Sequence, residues 1–109
     1  MADDRSRVAT ARRILIDRED RYRLFPGDIF DEYAWTMLLH LFVAFGTGVS
    51  LTERKLIHLV NTSINTGQRW LYQLAKDGQI ESRRSGEDVN LTGEAINRLR
   101  QYLDSVHVH

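Results

Sequence analysis

The sequence predicts a mainly α-helical domain with one small β-hairpin, an α+β chain in which two short helices meet at a tight turn between flanking helices. Three observations lead there. Apolar residues recur at helical spacing in successive stretches of the chain. Two of the shorter stretches are separated only by the polar turn Asn61-Thr62-Ser63. Two strand-like runs, 80–84 and 87–91, then flank Ser85-Gly86. At 109 residues, 42% hydrophobic and 28% charged, with one proline, the chain reads as a single globular domain over 1–109. Residues 1–25 form a helical arm, and 31–109 form the core and the C-terminal helix.

The elements follow in order. Between Arg7 and Arg23, Val8, Ala11, Leu15 and Tyr22 make a narrow apolar stripe among arginines, and Phe25-Pro26-Gly27 ends it. From about Asp31 to Phe45 the chain is apolar around most of a helical circumference, so this helix is central; Asp31 and Glu32 suit its first turn and Gly46-Thr47-Gly48 its end. Ser50-Leu51-Thr52-Glu53 fits a capping box opening a short helix to Val60. The next helix starts near Ser63 or Asn65, runs to Asp77 and is stopped by Gly78. After the hairpin, Thr92 caps a last helix with Ile96, Leu99, Leu103 and Val106 on its apolar stripe.

At about 100° per residue, Ile64, Gly67, Leu71, Leu74 and Ala75 fall on one side of the helix at 63–77. Thr66, Arg69, Tyr72, Gln73 and Lys76 fall opposite, and Ser63 stands at the start. That second stripe carries donors suited to phosphate oxygens and base edges, Arg to guanine and Gln to adenine. It equally fits the solvated face of an amphipathic helix. Gly67 permits a close approach by the preceding helix. Arg83 and Arg84 are neighbours on a strand and leave on opposite faces, beside Glu87 and Asp88; phosphate contact and a surface ion-pair cluster suit them equally. Arg5, Arg7, Arg12 and Arg13 fit a phosphate-binding arm, although Asp17, Glu19 and Asp20 favour pairing within the helix. Trp35 and Trp70 read as core or interface residues.

Charge is neutral overall, with 15 basic and 15 acidic residues, but it is not evenly spread: 7 Arg stand against 5 acids in 1–25, and 4 bases against 2 acids in 61–85. Without cysteine there is no disulfide, thiolate metal cage or thiol nucleophile. Of the four histidines, His40 reads as a core residue, His58 has no acid at catalytic spacing and His107-Val108-His109 makes only a weak two-ligand metal tail, while Gly46-Thr47-Gly48 lacks the rest of a nucleotide loop. We therefore expect no enzyme, no cofactor and no metal site. The longest apolar run, Met37–Phe45, is interrupted by His40 and falls short of the roughly 20 residues a membrane helix needs. No secretory signal is visible, so a cytoplasmic protein, nucleoid-associated when bound to DNA, is expected.

Leu51-Thr52-Glu53-Arg54-Lys55-Leu56, followed by Ile64-Asn65-Thr66-Gly67-Gln68-Arg69-Trp70-Leu71-Tyr72-Gln73-Leu74-Ala75-Lys76-Asp77-Gly78-Gln79-Ile80, looks like a winged helix-turn-helix. The tail Val89-Asn90-Leu91-Thr92-Gly93-Glu94-Ala95 resembles the step from wing to last helix in the MarR family of bacterial transcriptional regulators. The resemblance covers about residues 34–103. It implies a sequence-specific regulator of double-stranded DNA, with helix 63–77 in the major groove and hairpin 80–91 as wing. By the same resemblance Thr66, Gln68, Arg69 and Gln73 match the recognition positions, and Arg83 and Arg84 lie on the strand entering the wing. It also implies a homodimer on a pseudo-palindromic operator and leaves room for a small-molecule effector. The chain is shorter than members of that family and lacks their Asp-x-Arg wing tip. A homodimer is expected on separate grounds too, because one small core is not expected to cover both terminal apolar stripes. The competing reading is a winged-helix module for protein contact, which zero net charge and an acidic hairpin suit.

Overall fold

The structure, a computed structural model, describes residues 3–24, 33–83 and 86–106, with side chains described for 3–16, 33–83 and 86–104. The expectations at Phe25-Pro26-Gly27, Asp31, Glu32, Arg84, His107 and His109, and for the side chains of Tyr22 and Val106, lie outside these residues. In chain order the elements are α1 (Asp4–Leu24), α2 (Tyr33–Thr47), β1 (Leu51–Thr52), α3 (Glu53–Leu59), α4 (Ile64–Lys76), β2 (Asp88–Val89) and α5 (Gly93–Val106). The chain is mainly helical with a small antiparallel sheet. Among the described residues, no helix is long and apolar enough to cross a membrane.

The central position expected for α2 is observed. Met37, Leu39, Leu41, Phe42 and Ala44 are buried along it, and it packs against α1, α3 and α4. Its end is set by Gly48 at φ 71°, where the Gly48 amide donates to the Phe45 carbonyl and the Val49 amide donates to the Ala44 carbonyl at 2.9 Å. That left-handed geometry suits glycine, which has no Cβ to clash. Trp35 meets Tyr102 of α5 edge-on at 4.9 Å, and both tryptophans are partly buried against the core.

At the start of α3 the structure departs from the expected capping box. Leu51 and Thr52 are extended and pair with Val89 and Asp88, so the helix begins only at Glu53. Thr52 is the cap, its hydroxyl accepting from the Lys55 amide at 3.2 Å, while Ser50 is exposed. A side-chain oxygen at this position satisfies an otherwise unpaired first-turn amide. Strand β1 was not legible because two residues carry no alternation. Its inward side chain, Leu51, is buried, as is its partner Val89.

The hairpin likewise differs from a simple two-arm ladder. Its base pairs as expected, with a bridge between Ile80 and Leu91 and the Glu81 amide donating to the Asn90 carbonyl at 2.9 Å. Further out, residues 88–89 pair with β1 rather than with the 80–84 arm. Thr92 makes three bonds: its hydroxyl donates to the Gly78 carbonyl at 2.8 Å and accepts from the Ala95 amide at 3.1 Å, and its amide donates to the Gln79 carbonyl at 3.1 Å. The end of α4 is thereby tied to the start of α5.

Both terminal helices fold back on the core of their own chain. Val8, Ala11 and Leu15 of α1 are buried, as are Ala95, Leu99 and Leu103 of α5. The surplus apolar surface from which pairing of two chains was expected is therefore covered within one chain at these positions. The ends of the two helices are tied by charge as well. Arg7 grips Asp104 with two nitrogens at 2.8 and 2.9 Å and also reaches Asp4 at 3.0 Å, while Arg100 grips Asp4 at 2.9 and 2.8 Å.

Hydrogen bonds from Arg100, and then from Arg7, hold the Asp4 carboxyl below its ordinary value of 3.8. Asp3, whose side chain caps α1 by accepting the Ser6 amide at 2.9 Å, is lowered chiefly by that bond. A carboxyl with a depressed folded pKa contributes stability above its unfolded pKa and loses it as pH falls through the folded value. The melting temperature is therefore expected to fall as pH is lowered from about 4 toward 2, the carboxylate range. Asp4→Asn should show a shallower fall across that interval by thermal circular dichroism, and equal slopes would remove Asp4 from the acid response.

Candidate nucleic-acid interface

The two faces of α4 are sorted as the wheel predicts. Gly67, Leu71 and Leu74 are buried, with Ala75 and Trp70 partly so. Gln68, Arg69, Tyr72, Gln73 and Lys76 are exposed and Thr66 is half-buried. One boundary moves: Ile64, expected inside, is 49% exposed, because the first helical turn projects beyond the core. The inward face sits close to α3, since a Cβ built on Gly67 would lie 2.5 Å from Cγ1 of Ile57. Any side chain at 67 would force the two helices apart, as the sequence suggested.

The helix is held at both ends. Ser63 caps it, its hydroxyl accepting from the Thr66 amide at 3.2 Å, so this oxygen is already engaged. Asn61, at φ 56°, turns the chain between α3 and α4, a left-handed conformation that asparagine tolerates better than most residues. At the other end Gly78 takes φ 76°, with its amide donating to the Ala75 carbonyl and the Gln79 amide to the Leu74 carbonyl. A helix fixed at both termini against α2 and α3 presents its outer side chains on a rigid base.

That outer face carries a shallow depression of about 370 Å³ lined by Thr66, Arg69, Trp70, Tyr72 and Gln73. Tyr72 stands 70% exposed at its edge. Gln73 donates to the Asp77 carboxylate at 3.0 Å, which orients its amide along the helix. Sequence reasoning left out one residue of this face. Asn65 is exposed, and with the helix starting at Ile64 the same wheel places it between Arg69 and Tyr72 in angle. The signal was the helix start, which was read as either Ser63 or Asn65.

The hairpin arginines are not brought to this face as a pair. Arg84 lies outside the described residues. Arg83 is half-buried and turned to Glu53, its Nη2 3.6 Å from the carboxylate. Glu53 was read only as a capping acid. It is in fact buried, and its Oε2 accepts the Gly86 amide at 2.9 Å. The 33-residue separation hides this contact from any local pattern. The exposed charged residues of the hairpin among those described are Glu81, Glu87 and Asp88. On α1, Arg7 is drawn into the ion pairs with Asp4 and Asp104, while Arg5, Arg12 and Arg13 are exposed.

Comparison of the chain with protein-family models, with curated proteins and with solved structures finds no significant match in any of the three.

Proposed function

We propose that the chain is a sequence-specific DNA-binding regulator of the winged helix-turn-helix class, similar to the MarR family. In this reading α3 and α4 are the helix-turn-helix, α4 enters the major groove, and the strands around 80–91 are the wing. The observation that carries the reading is the outer face of α4. Asn65, Gln68, Arg69, Tyr72, Gln73 and Lys76 are exposed together on a helix whose opposite face is locked into the core. Arginine reads the acceptors of guanine, while Asn and Gln read adenine; Tyr and Lys reach phosphate oxygens. The element order supports the same class, with a strand before α3 pairing to the outer part of the hairpin. A single α4 supplies the groove contact, so the reading does not require the homodimer that the resemblance implies.

Arg69→Ala is the direct variant. It should weaken specific duplex binding by about 1–3 kcal/mol while leaving thermal stability within about 0.5 kcal/mol, because the side chain is exposed. Fluorescence anisotropy on a selected duplex, with a melting curve alongside, checks both. Unchanged affinity would remove Arg69 from the interface.

One observation favours a second reading, a winged-helix module that binds protein. With Arg83 turned inward, the hairpin offers exposed Glu81, Glu87 and Asp88, which suit a basic protein surface better than phosphate. Absence of duplex binding even at low salt would favour that reading.

A further inference from the structure

We propose that Arg83 is a positioning residue rather than a phosphate contact, and that the Glu53 carboxylate uses it to lock the outer hairpin to the helix pair α3–α4. The DNA role of this lock rests on the reading above; the lock itself does not.

Glu53 opens α3 and is 6% exposed, so its charge has been taken out of water. A carboxylate in that position persists only when it is paired or hydrogen-bonded. Two partners do this, and both come from the hairpin. The Gly86 amide donates to Oε2 at 2.9 Å, and the Arg83 guanidinium stands 3.6 Å from the same oxygen. The Arg83 side chain is only 12% exposed. Its Nε is buried with no hydrogen-bond partner among the described residues. An arginine with a free choice would extend into water, where all its donors are satisfied. Its burial beside the Glu53 carboxylate points to Glu53, not solvent or DNA, as what sets its place.

The consequence is geometric. Because α3 packs on α4, a tie from Glu53 to Arg83 and Gly86 fixes the hairpin relative to the groove-facing helix before any ligand arrives. Gly86 takes φ 90°, which lets its amide turn toward the carboxylate. A side chain there would strain this turn. Binding would then proceed without an ordering penalty for the hairpin.

Amide exchange of the full-length chain, followed by NMR, tests the lock, and duplex titration tests its role. In Arg83→Ala and in Glu53→Gln, Gly86 is expected to exchange about tenfold faster or more, with the Leu99 amide in the core as the reference that reports global opening. The double variant should exchange no faster than about the more affected single one, since both substitutions break one unit. In the duplex titration, Arg83→Ala should weaken binding while leaving the slope of log affinity against log salt unchanged. A slope reduced by about 1 would mean that Arg83 touches a phosphate and would overturn the proposal. So would a Gly86 amide that exchanges at the parental rate in both single variants. Should Glu53→Gln not fold, Arg83→Ala carries both readouts by itself. If the parent binds no duplex at all, the DNA reading falls and the Gly86 exchange rate decides the lock alone.

Discussion

Leu71→Ala is expected to lower the unfolding free energy by about 2–5 kcal/mol, measured from the urea midpoint at constant m-value. Leu71 is 1% exposed in the middle of α4, on the side turned to α2 and α3. Removing its branched end leaves a hole that the neighbouring helices cannot close, since Gly67 and Ile57 already bring them as near as their atoms allow. Tyr72, the next residue, is the internal control. Its ring stands in solvent, and Tyr72→Ala should change stability by no more than about 0.5 kcal/mol. A reversal of these two results would mean that α4 is rotated by about one residue, roughly 100°, which would turn Gln68 and Tyr72 inward and break up the outer face assigned to DNA.

Phe42→Ala should be costlier still in the body of the domain, about 3–5 kcal/mol. Phe42 is fully buried on α2, the helix against which α1, α3 and α4 all pack, and its ring leans on Phe45 at 6.0 Å. Its loss removes contacts to several elements at once. The melting temperature should fall by at least about 10 °C, given roughly 4 °C per kcal/mol for a domain of this size. A drop of only a degree or two would show that α2 is not the centre of the core. Since total stabilities of small domains are about 5–15 kcal/mol, a loss of this size takes a large share of the total, and low temperature favours the measurement.

What the sequence made legible was local. The two faces of α4 follow from spacing alone, and so do the stops at Gly48 and Gly78 and the cap at Thr92. Each depends on residues within about one helical turn. The parts that were missed depend on partners far along the chain. Strand β1 exists because Val89 and Asp88 lie opposite Leu51 and Thr52, and the role of Glu53 exists because Gly86 and Arg83 reach it. The terminal stripes were legible as apolar faces, but not that Val8, Ala11, Leu15, Leu99 and Leu103 are covered within the chain, nor that α1 and α5 also pack on each other. Their ends are held together there by Arg7, Arg100, Asp4 and Asp104. At the candidate interface, exposure of Arg69 was legible and sequestration of Arg83 was not, because both look alike as single basic residues.

Whether the outer face of α4 binds duplex DNA is decided by the affinity for a labelled random-sequence duplex at a series of salt concentrations. Phosphate neutralisation releases counterions, so log affinity should fall linearly with log salt, by about 0.9 for each phosphate engaged. With Lys76 exposed on that face as its phosphate-directed cation, a slope of about −1 or steeper is expected. Absence of binding at low salt, or an affinity that does not change with salt, would contradict the account.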